Sequence, residues 1–131
     1  MWYLTKEQIL LIHSMVIDET GGLHGVRDYR LIPSLENSPK QKIFGKELYE
    51  TAFDKAAVYI RDIIKNHAFL DGNKRTGMTC AIVFLENNNF IFKAKEGEIE
   101  KFALKVATKN FEISFISEWL KKHSVKKRLT K

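Results

Sequence analysis

Between His67 and Arg75 the chain packs an imidazole, a carboxylate, a glycine, a carboxamide and two cations into nine residues, HAFLDGNKR. These side chains suit chemistry on phosphate esters. Gly72 permits backbone conformations closed to other residues, so consecutive N–H groups can turn toward one anion. A helix starting just after it adds the positive end of its dipole. Lys74 and Arg75 bring full positive charges to the same place, and Asn73 can bond a phosphate oxygen or hold the loop in shape. Asp71 is a candidate Mg²⁺ ligand, because a carboxylate plus phosphate oxygens is that ion's usual coordination. His67, four residues earlier, can take a proton from an attacking hydroxyl. The same residues also suit an ordinary D-G-N turn between two helices, with Lys74 and Arg75 merely solvated.

The flanking segments are the elements that would position this loop. Thr5 with Gln8 makes a capping box for a first helix carrying Ile9, Ile12 and Val16, ended by Gly21-Gly22. The loop GGLHGVRD follows, and Asp28 can cap a short helix reaching about Asn37. Residues 37 to 45, NSPKQKIFG, read as a flexible connection around the apolar pair Ile43-Phe44. A target-docking flap is expected at roughly 35 to 45. A long helix is expected from Lys46 to Asn66, with Leu48, Ala52, Ala56, Ile60, Ile63 and Ile64 on one face. A largely buried central helix follows the motif from Lys74 to Asn87, and Phe69 and Leu70 should anchor the loop in the core. Asn87-Asn88-Asn89 stops that helix, FIFKA is a short strand or extended link, and helices return over 96–108 and 113–122.

Composition bounds the function. A chain of 131 residues with 44% hydrophobic and 29% charged residues is expected to be a single globular domain, 1–131. Its lone cysteine, Cys80, cannot make an internal disulfide and should be a small buried apolar residue. No secretory signal or membrane-length apolar run is evident, so a cytoplasmic protein with no membrane partner is expected. The net charge of +6 resides in residues 121–131, KKHSVKKRLTK, which leaves residues 1–120 with 16 charges of each sign. The body lacks a general electrostatic footprint for nucleic acid, and the tail is expected to fray.

HAFLDGNKRTG resembles the signature of the Fic/Doc superfamily, H-P-F-x-[DE]-G-N-G-R-x-x-R in Fic proteins, with His67, Phe69, Asp71, Gly72, Asn73 and Arg75 in place. Lys74 replaces the second glycine and Met78 stands where Fic enzymes have the last arginine. Both departures are traits of Doc (death on curing) toxins, whose pattern H-x-F-x-[DN]-[AG]-N-K-R-T also takes in Lys74 and Thr76. The loop GGLHGVRD is similar to one found early in Doc-like chains. The resemblance implies an all-α fold of about six helices with a short β-hairpin or flap. It further implies a toxin that passes the γ-phosphate of ATP to a threonine of elongation factor Tu and arrests translation. On this reading His67 is the general base, and Asp71, which would hold Mg²⁺, Lys74 and Arg75 complete the catalytic set. Gly72, Asn73, Lys74, Arg75 and Thr76 bind the nucleotide. The inhibitory [ST]-x-x-x-E-[GN] motif of many Fic proteins is not matched, since TKNFEI (108–113) and SFISEW (114–119) both fail at the last position. A separate, Phd-like antitoxin is therefore expected.

Alternatives are a Fic-type AMP transferase, a non-catalytic anion- or partner-binding protein, and a nucleic-acid binder driven by the tail. His13 and His123 lack neighbours at metal-ligand spacing. His24, in the GGLHG loop, is either a surface residue or a substrate contact, and Lys65 either a solvated lysine or another cation. Phe115, Ile116 and Trp119 read as core packing.

Overall fold

A computed structural model describes residues 1–128. Helix α1 (Lys6–Thr20) starts at the expected capping box. The Thr5 hydroxyl accepts from the Gln8 amide at 3.1 Å, and the Gln8 side chain accepts from the Thr5 amide at 2.8 Å. It buries Ile9, His13, Val16 and Ile17 and stops at Gly21, whose φ is +86°. Asp28 caps a 3₁₀ turn, Tyr29–Leu31, that runs into α2 (Ile32–Asn37). Pro33 is accommodated in the first turn, where no amide donor is required.

The next stretch corrects two expectations. After a 3₁₀ turn at Ser38–Lys40, the chain forms a tight antiparallel hairpin of β1 (Lys42–Ile43) and β2 (Lys46–Glu47). Phe44 and Gly45 both take positive φ (50° and 79°), as a two-residue hairpin loop of this hand requires. The helix expected from Lys46 therefore begins only at Ala52, as α3 (Ala52–Asn66), behind a second capping box made by Thr51 and Asp54. Leu48 has helical spacing with Ala52 but lies outside the helix and is exposed.

Helices α3 and α4 (Asn73–Glu86) form the centre of the molecule. Ala56, Ile60, Ile63 and Ile64 of α3 meet Met78, Ala81, Phe84 and Leu85 of α4, all essentially inaccessible. Gly77 lets the two helices close on each other, since a Cβ there would lie 2.9 Å from the Ile64 side chain. Cys80 is fully buried, and burial pushes its thiol pKa far above the usual range. The helices on either side of the motif are therefore firmly seated in the core.

Helices α5 (Glu98–Thr108) and α6 (Ile113–Lys122) pack on this pair. Ile116 is buried and Trp119 stacks on Phe102 with ring centroids 4.0 Å apart. Phe115 was expected in the core, but it is exposed and leans on Phe111. Of the tail expected to fray, the part up to Lys126 is ordered. Lys121 and Lys122 end α6, and Ser124–Lys126 form β4, antiparallel to β3 (Phe90–Phe92) in the register Ile91 opposite Val125. Residues 129–131 of that tail lie outside the described residues. Among the described residues, six α-helices and two small ribbons give the all-α fold with a short hairpin that was expected, and no helix is long and apolar enough to cross a membrane.

Candidate active site

The motif occupies the connection from α3 to α4. His67 caps α3 in the left-handed conformation (φ 50°, ψ 54°), which turns the chain sharply out of the helix and leaves the residue exposed. Ala68 and Phe69 then drop into the core, where Phe69 is 1% accessible. Leu70, expected to anchor the loop beside it, is exposed instead. Gly72, at φ 78°, is the N-cap of α4, and a Cβ there would stand 2.8 Å from the end of the Ile17 side chain of α1, so any larger residue would be strained at this turn and would push Ile17 aside.

Asn73 closes the loop on itself. Its side-chain oxygen accepts from the Phe69 amide (3.1 Å) and its nitrogen donates to the Phe69 carbonyl (3.0 Å), so both ends of this buried amide are used. That assigns Asn73 to shaping the loop and takes its side chain out of the expected phosphate-binding set. Thr76 leaves that set as well: it is wholly buried one turn into α4, with its hydroxyl enclosed.

What remains is a group of donors and charges of the kind that suits an anion. The N–H groups of Asn73, Lys74 and Arg75 have no acceptor among the described residues, because the first turn of a helix has no preceding carbonyls and Gly72 offers no side-chain cap. Three amides and the helix dipole thus converge beside two exposed cations. Clefts open on both sides of this first turn. A larger one, of about 260 Å³, runs between α4 and α5 and is lined by Lys74, Arg75, Met78, Ile99 and Glu100. A smaller one, of about 190 Å³, holds His67, Asp71 and Lys74. Gly72, Asn73 and Lys74 border both, so an anion on the α4 amides can be reached from His67's side. Arg75 pairs with Glu100 across the larger cleft at 3.0 Å; both are about half exposed, and such a pair is worth roughly 0–1 kcal/mol, weak enough for phosphate to displace.

The early loop, residues 21–28, grips the motif from the other side. The Leu23 amide donates to one Asp71 carboxylate oxygen at 2.7 Å, and Gly22 lies so close that a Cβ would be 3.1 Å from that of Asp71. Val26 and Phe69 form a β-bridge, with the Leu70 amide donating to Gly25 and the Arg27 and Asp28 amides to the Ala68 carbonyl. The Arg27 guanidinium donates to the carbonyls of Asn66 and His67. From α1, His13 stacks on Phe69 with centroids 3.8 Å apart and donates from Nε2 to the Asp71 carbonyl at 2.8 Å. Since a carbonyl only accepts, Nε2 carries the proton.

Arg27 and His13 were not foreseen as parts of the site. The signal for His13 was a lone polar residue on the apolar face of α1; for Arg27 there was only its place in the GGLHGVRD loop. His24 turns to Asp18 at 2.8 Å, on the surface. Lys65, half-buried, points away from the motif and donates to the carbonyls of Lys109 (2.9 Å) and Ala107 (3.4 Å) at the end of α5. Among the described residues no three His, Cys, Asp or Glu side chains cluster as a ready metal site, so a cation at Asp71 would complete its shell from phosphate oxygens and water.

Comparison with known proteins agrees with this geometry. A family profile described as Fic/DOC family matches residues 3–85. The chain is 32% identical over 117 residues to a protein named Toxin Doc from Mycolicibacterium smegmatis, covering 88% of each. It is 24% identical over 123 residues to one named Protein kinase doc from Escherichia phage P1, covering 93% of this chain and 95% of the other. With the motif held between α3 and α4 and the matches spanning nearly the whole chain, the protein belongs to the Fic/DOC family as a Doc-like member.

Proposed function

We propose that this chain is a toxin that acts as a protein kinase, moving the γ-phosphoryl group of ATP to a serine or threonine hydroxyl of a target protein, with elongation factor Tu as the target. The observation that carries the proposal is the first turn of α4: three open amides flanked by Lys74 and Arg75, with apolar Met78 on the wall of the larger cleft. A clamp there on the inner phosphates, which AMP transfer uses, is missing. The charges concentrate at the helix terminus, where a terminal phosphate fits. The phage relative's name, Protein kinase doc, points the same way.

In this reaction the hydroxyl oxygen of the target bonds to the γ-phosphorus while the bond from that phosphorus to the bridging oxygen breaks, and ADP leaves. His67 takes the hydroxyl proton. The α4 amides, Lys74 and Arg75 bear the charge of the transferred group, so the protein's contribution is mainly position and electrostatics. Asp71 fits a Mg²⁺ ligand, because Leu23 engages only one of its carboxylate oxygens. The ion, when bound there with the phosphates, supplies charge neutralisation. A separate antitoxin, Phd-like in folding a C-terminal segment on binding, restrains the enzyme in the cell.

The test is incubation of purified chain with elongation factor Tu and ATP labelled at the γ or the α position. Label from the γ position alone, with the mass of one phosphate added, is expected. Label from the α position would replace this reading with nucleotidyl transfer, and no label from either would leave an anion-binding protein.

A further inference from the structure

We propose that Arg27 is a positioning residue for the transfer, holding His67 in the backbone conformation from which its imidazole works; the inference rests on reading His67 as the base. The geometry is specific. Arg27 donates from Nε to the His67 carbonyl and from Nη2 to the Asn66 carbonyl at 2.8 Å, and its backbone amide donates to the Ala68 carbonyl at 2.7 Å. Arg27 therefore meets three consecutive carbonyls, from the last residue of α3 to Ala68, the last of them shared with the Asp28 amide.

The conformation it holds is not one His67 would choose. A left-handed backbone is disfavoured for any residue with a Cβ, and it is this turn that carries the chain out of α3 toward the buried Ala68 and Phe69. The carbonyls at a helix C-terminus lack partners within the helix and favour a cation. The cation that α3 itself carries in its last turn, Lys65, is committed to the end of α5. Arg30, the other guanidinium nearby, is held by both oxygens of Asp28 at 3.0 Å. Arg27 alone serves the end of α3 among the described residues. A planar fork suits the task, since it meets two carbonyls in a fixed relation that an ammonium cannot reproduce.

Arg27 makes no hydrogen bond to Lys74 or Arg75 and lines neither cleft beside α4, so its loss should act on the chemical step and spare nucleotide binding. In Arg27→Ala, kcat is expected to fall about 10- to 100-fold, the scale set by misplacing a reacting group by roughly an ångström. The KM for ATP should stay within about threefold, and Arg27→Lys should recover part of the kcat. The ¹³Cα chemical shift of His67 should leave its left-handed value in Arg27→Ala. Unchanged kcat with an unchanged His67 shift overturns the proposal, as does an equal loss of kcat and nucleotide binding. If wild-type protein transfers nothing to any target, His67 as base fails, yet the His67 shift still decides whether Arg27 positions it. Should Arg27→Ala not fold, Arg27→Lys and Arg27→Gln give the same readings.

Discussion

The α3–α4 connection and the β1–β2 hairpin are both short turns at the surface, and both turn through a non-glycine residue at φ 50°, His67 and Phe44. They are secured very differently. The connection is tied to α1 through His13, to the early loop through Gly25, Arg27, Asp28 and Leu23, and to itself through Asn73. The hairpin is closed on itself at its base, where the Leu48 amide donates to Gln41, and meets α3 there through the buried Lys55, which donates to Tyr49 and lies 3.4 Å from Glu47. Its tip, Ile43 and Phe44, is exposed. A group that must meet a phosphorus atom gains from being fixed in advance, whereas a surface that meets a protein target needs only to be presented.

Removing the proposed base should separate the two most sharply. His67→Ala is expected to lower transfer by roughly 10² to 10⁴. Its imidazole makes no hydrogen bond among the described residues, so the thermal midpoint should barely move. Retention of wild-type transfer by the folded variant would remove His67 from the mechanism. Next in size is Asn73→Ala, which strands the amide and carbonyl of buried Phe69. A cost of about 2–4 kcal/mol is expected from two unsatisfied groups. A denaturant midpoint within error of wild type would show that the loop does not depend on this closure.

What could be read in advance follows the same division between local and distant causes. The Thr5–Gln8 capping box lies within four residues of itself, and the apolar spacing of α4 declares a central helix; both were legible. The Thr51–Asp54 box was hidden because Leu48 continues the apolar spacing of Ala52, Ala56 and Ile60 backward into what is a hairpin. Strand β4 could not be seen at Ser124–Lys126, since what makes it a strand is Phe90–Phe92, more than thirty residues earlier. The motif's residue types pointed to phosphate chemistry, but not to which of them face it. Asn73 and Thr76 carry groups that suit a phosphate and turn them to Phe69 and to the core. His13 and Arg27 reach the motif only through folding.

His13 offers a smaller and pH-dependent way to loosen the clamped connection. Burial lowers its pKa below the ordinary 6.5, outweighing the opposite pull of the Asp71 carbonyl. As pH falls through about 6.5 the unfolded ring takes up a proton that the folded ring resists. Stability from this group is therefore present above that pH, declines below it, and stops declining once the folded ring is protonated too. His13→Phe keeps the stacking on Phe69 and removes the titration. Wild type should lose more stability than His13→Phe between pH 7.5 and 5, by chemical denaturation, and equal losses would mean that the ring titrates as freely folded as unfolded.

The least effect on the fold should come from the hairpin tip. Phe44 is fully exposed, so Phe44→Ser removes no packing, and a change within about 0.5 kcal/mol is expected. Nucleotide affinity should not change either, because no hairpin residue lines the two clefts beside α4. If the hairpin presents the target, the KM for the protein substrate should rise several-fold while kcat at saturating target holds, since only binding common to ground and transition states has been removed. A fall in kcat with unchanged KM would instead tie the hairpin to the chemical step, and the contrast between a fixed loop that reacts and an exposed one that recruits would dissolve.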